Sequence, residues 1–98
     1  MALKHTRETD RLMDAALCLK TREEAYQLFE DLCTMKEIQD MAQRLEIAFL
    51  LKQGTKSQDV ADRTGVSSAT ISRVNRCLHY GSGGYRRALG RLSEEDQA

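Results

Sequence analysis

Thr55-Lys56-Ser57-Gln58-Asp59-Val60-Ala61-Asp62-Arg63-Thr64-Gly65-Val66-Ser67-Ser68-Ala69-Thr70-Ile71-Ser72-Arg73-Val74-Asn75-Arg76 is the stretch that decides how this chain folds. Ser57 reads as an N-cap, and Val60 with Ala61 forms the inner face of a helix of about two turns. Gly65 breaks that helix, because a residue without a Cβ takes positive φ at no steric cost. Val66 plugs the turn, Ser67 caps the next helix, and Ile71, Val74 and Leu78 give that helix a buried face. Ala61 lies four residues before Gly65, while Ile71 and Val74 lie six and nine after it. Two helices crossing at about 90–120° need a small residue where they touch, a sharp turn and apolar anchors at such offsets. The segment from about Ser57 to His79 is therefore expected to be a helix-turn-helix.

Working back towards the N-terminus, the pattern stays helical. A first helix is expected from Leu3 or Arg7 to about Leu19, apolar on most of its second half. Thr21 opens a second helix with Glu24 three residues on, and Thr34 opens a third with Glu37 three residues on, both at capping-box spacing. The third helix repeats Ile38, Met41, Ala42, Leu45, Ala48 and Phe49 with a 3.6-residue period, so Met41, Leu45 and Phe49 read as core. Gly54 stops it. Downstream, Gly81-Ser82-Gly83-Gly84 reads as a flexible joint into a short basic helix holding Tyr85, Arg86, Arg87, Leu89 and Leu92, followed by an acidic tail over residues 93–98. The chain is thus organised as one domain, with a helical dimerisation part at 1–53, the helix-turn-helix at 55–80 and a C-terminal helix at 84–92.

Composition agrees. The 98 residues contain no proline and few aromatics, are rich in Leu, Ala, Glu, Lys, Arg and Gln, and lack runs of strand-favouring residues, so the class is all-α. No stretch approaches the about 20 apolar residues of a membrane span, and no signal pattern opens the chain, so a cytoplasmic location is expected. Cys18, Cys33 and Cys77 form no CxxC pair; they read as buried, reduced thiols, with no metal site and no cofactor. The net charge of zero hides a segregation: residues 1–51 carry seven Lys/Arg against ten Asp/Glu, whereas residues 52–91 carry eight against two. A basic half and an acidic half point to a nucleic-acid face on one and protein contacts on the other.

On the helix-turn-helix, the N-terminal end of the second helix is the part that would enter a major groove of double-stranded DNA. Ser67, Ser68, Ala69 and Ser72 are small enough to meet base edges, the hydroxyls as donors or acceptors and Ala69 against a thymine methyl. Arg73 and Arg76 follow one turn on, within reach of phosphate or guanine. Lys56, Ser57 and Gln58 stand at the first helix's N-terminus, where unpaired N–H groups and the dipole favour a phosphate.

The string Gly54…Ser57-Gln58…Gly65…Ala69-Thr70-Ile71-Ser72-Arg73 resembles the Trp repressor family, and the continuation Asn75-Arg76-Cys77-Leu78-His79-Tyr80-Gly81-Ser82-Gly83-Gly84-Tyr85 is similar to its YerC/YecD branch. The resemblance covers most of residues 12–92. It implies a six-helix subunit whose N-terminal helices interlock with those of a second copy, leaving two helix-turn-helix heads. It also implies an effector pocket, since the founding member holds L-tryptophan between two arginines; the matching positions are Arg44 and Arg73, with Thr34 as a pocket-lining threonine. Two positions depart from the tryptophan-responsive pattern. Val74 stands where those proteins have glycine, and Cys77 where they have a ligand-holding serine. The branched Val74 would overfill the space of an indole, so no tryptophan response is expected. Gly54 to Gly65 is also one residue shorter than in the founding member.

The functional expectation is a bacterial, sequence-specific DNA-binding regulator, acting as a repressor and a homodimer. The other reading left open is a helix-turn-helix docking module of the transcription machinery. Catalysis is not expected, because His5 and His79 have no sequence-visible acid, base or nucleophile beside them.

Overall fold

In the computed structural model, the backbone of residues 3–97 and the side chains of residues 3–92 are described. Six helices follow one another: α1 (Arg7–Leu17), α2 (Arg22–Leu32), α3 (Met35–Lys52), α4 (Ser57–Thr64), α5 (Ser68–Tyr80) and α6 (Gly84–Gln97). No strand occurs among the described residues. The chain divides into two compact units between Gln39 and Asp40, within α3.

In the first unit each helix start is fixed by side chains. Thr6 caps α1: its hydroxyl accepts the Thr9 N–H at 3.1 Å, and the Thr9 hydroxyl accepts the Thr6 N–H at 2.8 Å. Thr21 caps α2 by accepting the Glu24 N–H at 3.1 Å. The Glu24 carboxylate reaches one residue further back than a capping box requires and accepts the Lys20 N–H at 3.1 Å. At α3 the box is complete: Thr34 accepts from the Glu37 N–H at 3.1 Å, and Glu37 accepts from the Thr34 N–H at 2.8 Å. Despite these firm starts, α1 and α2 contain no buried residue. Leu12, Met13, Leu17, Tyr26 and Leu32 are all exposed, Leu17 to 82%. Amphipathic helices leave such faces open only when something else covers them. α1 ends at Leu17, two residues before the end read from sequence, and Cys18 closes it.

The second unit has its own core. Ile47, Ala48 and Leu50 from α3, Val60 from α4, Ile71, Val74 and Leu78 from α5, and Leu89 from α6 are buried together. Phe49, Leu51, Ala61, Val66 and Tyr85 pack around them. Burial of a Val, Leu or Ile side chain contributes about 1.5–3 kcal/mol, so this cluster supplies the stability that the first unit lacks.

The apolar period of α3 does not resolve as the sequence implies. Met41 is 40% exposed and Leu45 36% exposed, and only Phe49 of the three expected core residues packs on the core. At 100° per residue, Ile47, Ala48, Leu50 and Leu51 centre on one side of α3, with Met41 and Leu45 roughly 100–140° round. The helix therefore carries two apolar faces, and the core of the second unit takes one. The cysteines also differ from expectation. All three are free, but Cys18 and Cys77 are exposed and Cys33 half-buried, because Cys18 and Cys33 fall at helix C-caps and Cys77 on an open flank of α5. At the far end, α6 stays helical to Gln97, past the end at 92 expected from sequence; the last residue of the expected acidic tail, Ala98, lies outside the described residues.

Candidate nucleic-acid interface

The turn between α4 and α5 is built by backbone geometry. Gly65 caps α4 in the left-handed region, at φ 72° and ψ 8°, and its N–H donates to the Ala61 carbonyl at 2.8 Å. The Thr64 hydroxyl donates to the Val60 carbonyl at 2.7 Å and accepts the Val66 N–H at 3.4 Å, which ties the turn to the helix it leaves. Ser67 then caps α5, its hydroxyl accepting from the Thr70 N–H at 3.3 Å. Ser67 is thus engaged with its own helix. The cap of α4 differs from the reading of the sequence: the N-cap is Lys56, which makes no side-chain cap bond, and Ser57 is the first helical residue. The first N–H groups of α4 therefore lack the side-chain acceptor expected from Ser57.

Ser68, Ala69, Ser72, Arg73 and Arg76 are all exposed, while Ile71, Val74 and Leu78 are buried. This is the division a reading helix requires, with one face anchored and one free to meet a partner. α5 holds no acidic residue, so its open face is basic and hydroxylic. Lys56 and Gln58 are exposed at the start of α4, and the Gln58 amide donates to the Asp62 carboxylate at 3.2 Å.

Beside α5 lies a cleft of about 340 Å³. Asp40, Gln43 and Arg44 of α3, Thr70, Arg73, Val74 and Cys77 of α5, and Tyr85 of α6 line it. Four of the five residues expected in an effector pocket, Arg44, Arg73, Val74 and Cys77, line this one space. Thr34 belongs to the first unit, where it caps α3. Val74 is 1% exposed and belongs to the core as well as to the cleft. Sequence reasoning missed Asp40, Gln43, Thr70 and Tyr85. Asp40, Gln43 and Arg44 are neighbours on one helical ridge, a spacing that could have revealed the first two; Tyr85 carries no such local signal.

The features so far define an all-helical, helix-turn-helix protein with a cleft against its second motif helix. The family model for the Trp repressor protein matches residues 7–93, and the chain belongs to that family. It is 49% identical over 90 residues to the YerC protein of Bacillus subtilis (strain 168), covering 92% of this chain and 86% of the relative. A crystal structure of a TrpR-like protein from Eubacterium eligens superposes with a TM-score of 0.85 at 48% identity, covering 90% of this chain and 91% of that one. A Staphylococcus aureus chain superposes equally well, at a TM-score of 0.85 and 45% identity, covering 91% of this chain and 89% of its own. The six-helix, Trp-repressor-like fold read from the sequence is the fold of this protein. No helix among the described residues is long and apolar enough to cross a membrane.

Proposed function

We propose that the protein is a sequence-specific DNA-binding transcriptional regulator of the repressor type, working in the bacterial cytoplasm as a homodimer. The observation that carries this reading is the sidedness of α5. Its Ile71, Val74 and Leu78 face is buried in the core, while Ser68, Ala69, Ser72, Arg73 and Arg76 stand free and no acid interrupts them. Membership of the Trp repressor family supports the same conclusion. In this scheme Ser68, Ala69 and Ser72 meet base edges, Arg73 and Arg76 meet phosphate or guanine, and Lys56, Ser57 and Gln58 bring the start of α4 to a phosphate; Ser67 holds the start of α5 in place.

The homodimer is supported by what the first unit lacks. Helices α1 and α2 bury no residue, and α3 keeps Met41 and Leu45 open on the side away from the core. A second copy interlocking with these faces would cover them. Two heads would then read half-sites about 34 Å apart, one turn of DNA. The cleft beside Arg73 is the place for any effector, and L-tryptophan is not the expected one, because the branched side chain of Val74 takes up space that an indole would need.

Selection of bound sequences from random duplex DNA tests the proposal, followed by affinity measured across a salt series. An enriched, two-fold-related motif bound with an affinity that falls steeply between about 50 and 200 mM salt is the expected result. Binding that ignores salt, or no enrichment at all, would instead favour a docking role in which the helix-turn-helix meets protein.

A further inference from the structure

Tyr80 is the last residue of α5 and is 86% exposed, an unusual position for a large aromatic side chain. Its placement is fixed by the backbone. The Gly81 N–H donates to the Cys77 carbonyl at 2.9 Å, and a Cβ at Gly81 would run into that same carbonyl oxygen, so only glycine closes the helix here. The His79 ring stands beside it, with centroids 6.3 Å apart and the planes tilted by 57°.

Around the helix axis, at 100° per residue, Tyr80 falls about 20° from Ala69, about 40° from Arg76 and about 20° from Arg73. The phenol thus continues the open, basic face of α5 by one more turn. Length then decides what it meets. A 13-residue helix is about 20 Å long, and the major groove is about 12 Å wide. With its N-terminal turn against base edges, the C-terminal turn of α5 lies level with the sugar-phosphate backbone. A phenolic O–H is a good donor to phosphate oxygen, and the uninterrupted positive charge of this face complements the backbone.

From this geometry we infer that Tyr80 is a DNA-backbone contact, donating its hydroxyl to a phosphate at the far edge of the groove. The inference rests on the reading of α5 as a DNA-binding helix. It makes Tyr80 a residue that holds the register of α5 and raises affinity without choosing sequence. Because the donor is neutral, it releases no counterion, which separates it from the arginines.

The test uses the full chain and its Tyr80→Phe and Tyr80→Ala variants, with fluorescence anisotropy against the selected duplex and an unrelated duplex of equal length. Tyr80→Phe is expected to bind both duplexes about five- to tenfold more weakly. The ratio between duplexes and the salt slope should both stay at their wild-type values. Tyr80→Ala should lose at least as much, with an unchanged mass by light scattering. Wild-type affinity in both variants, or a changed sequence preference, overturns the inference while leaving the DNA reading intact. A fall in mass for Tyr80→Ala together with full affinity for Tyr80→Phe also overturns it, because Tyr80 then serves contact between copies. Absence of salt-dependent binding by the wild-type chain overturns the DNA reading itself and this inference with it.

Discussion

The Glu37 carboxylate accepts the backbone N–H of Thr34 at 2.8 Å while the Thr34 hydroxyl accepts the backbone N–H of Glu37 at 3.1 Å, so the two residues close the start of α3 between them. The Thr34 backbone N–H first, and its hydroxyl second, hold the Glu37 carboxyl below its ordinary pKa of 4.5. A carboxylate whose folded pKa is depressed stabilises the fold above its unfolded pKa. That contribution is lost as pH falls below about 4.5 and through the lowered value. Thr34→Ala is expected to cost about 1 kcal/mol in denaturant unfolding near neutral pH. It should also move Glu37 upward in an NMR titration, towards the ordinary value. An unmoved Glu37 would show that the Thr34 hydroxyl has no part in its charge, which the backbone N–H retained by alanine then sets alone.

Gly65 at φ 72° has nothing within 4 Å of an added Cβ, so substitution there isolates the backbone cost of the turn. Gly65→Ala should destabilise the second unit by about 1–2 kcal/mol, the penalty for a left-handed residue with a side chain. Urea denaturation with an unchanged m-value checks it. A neutral or stabilising result would mean that the turn relaxes to another geometry.

Arg76 and Ser72 should separate affinity from preference. Arg76→Ala is expected to weaken every duplex alike and to reduce the salt slope by about one if the guanidinium meets phosphate. Ser72→Ala should change which bases are preferred, at a cost of about 1–3 kcal/mol on the selected site if its hydroxyl reads one. Parallel titrations over several salt concentrations distinguish the two behaviours.

Met41 and Leu45 present the second apolar face of α3, on the side turned away from Ile47 and Leu50. Replacing both by glutamate should leave α4, α5 and α6 folded while abolishing self-association. Light scattering would then fall from about twice 11.1 kDa to the single-chain mass. A wild-type protein already at the single-chain mass at micromolar concentration removes the homodimer from consideration.

Val74 couples the core to the cleft. Val74→Ala is expected to cost about 2 kcal/mol, because it opens space among Ile71, Leu78 and their neighbours. Millimolar L-tryptophan should leave the melting temperature of the wild-type chain where it is. A saturable upward shift would mean that the cleft accommodates the indole beside Val74.

What the sequence revealed was local in origin. The turn at Gly65, the cap at Ser67 and the Thr34–Glu37 box each depend on residues a few positions apart, and all three formed as read. The inward set Val60, Ile71, Val74 and Leu78 followed from the same short spacings. Met41 and Leu45 failed the same reading because periodicity tells which residues of a helix are apolar, not how many surfaces compete for them. Ser57 was displaced by one position when Lys56 took the extended cap conformation, at φ −68° and ψ 146°. Tyr85 and Asp40 joined one cleft from positions 45 residues apart, and no spacing rule spans that distance.

The unequal division of buried residues also sets an order of events. Around Ile47, Val60, Ile71 and Leu89 the second unit has what it needs to collapse and persist by itself, largely through contacts between successive helices, which close quickly. Helices α1 and α2, with capped starts and no buried residue, have local hydrogen bonds but little to hold them shut. In a solitary chain their amides would exchange with solvent on a fast clock and those of α5 on a slow one. Helix α5 is therefore expected to be ordered before α1 and α2, and in the proposed homodimer assembly, not the head, would be the slow step in maturation.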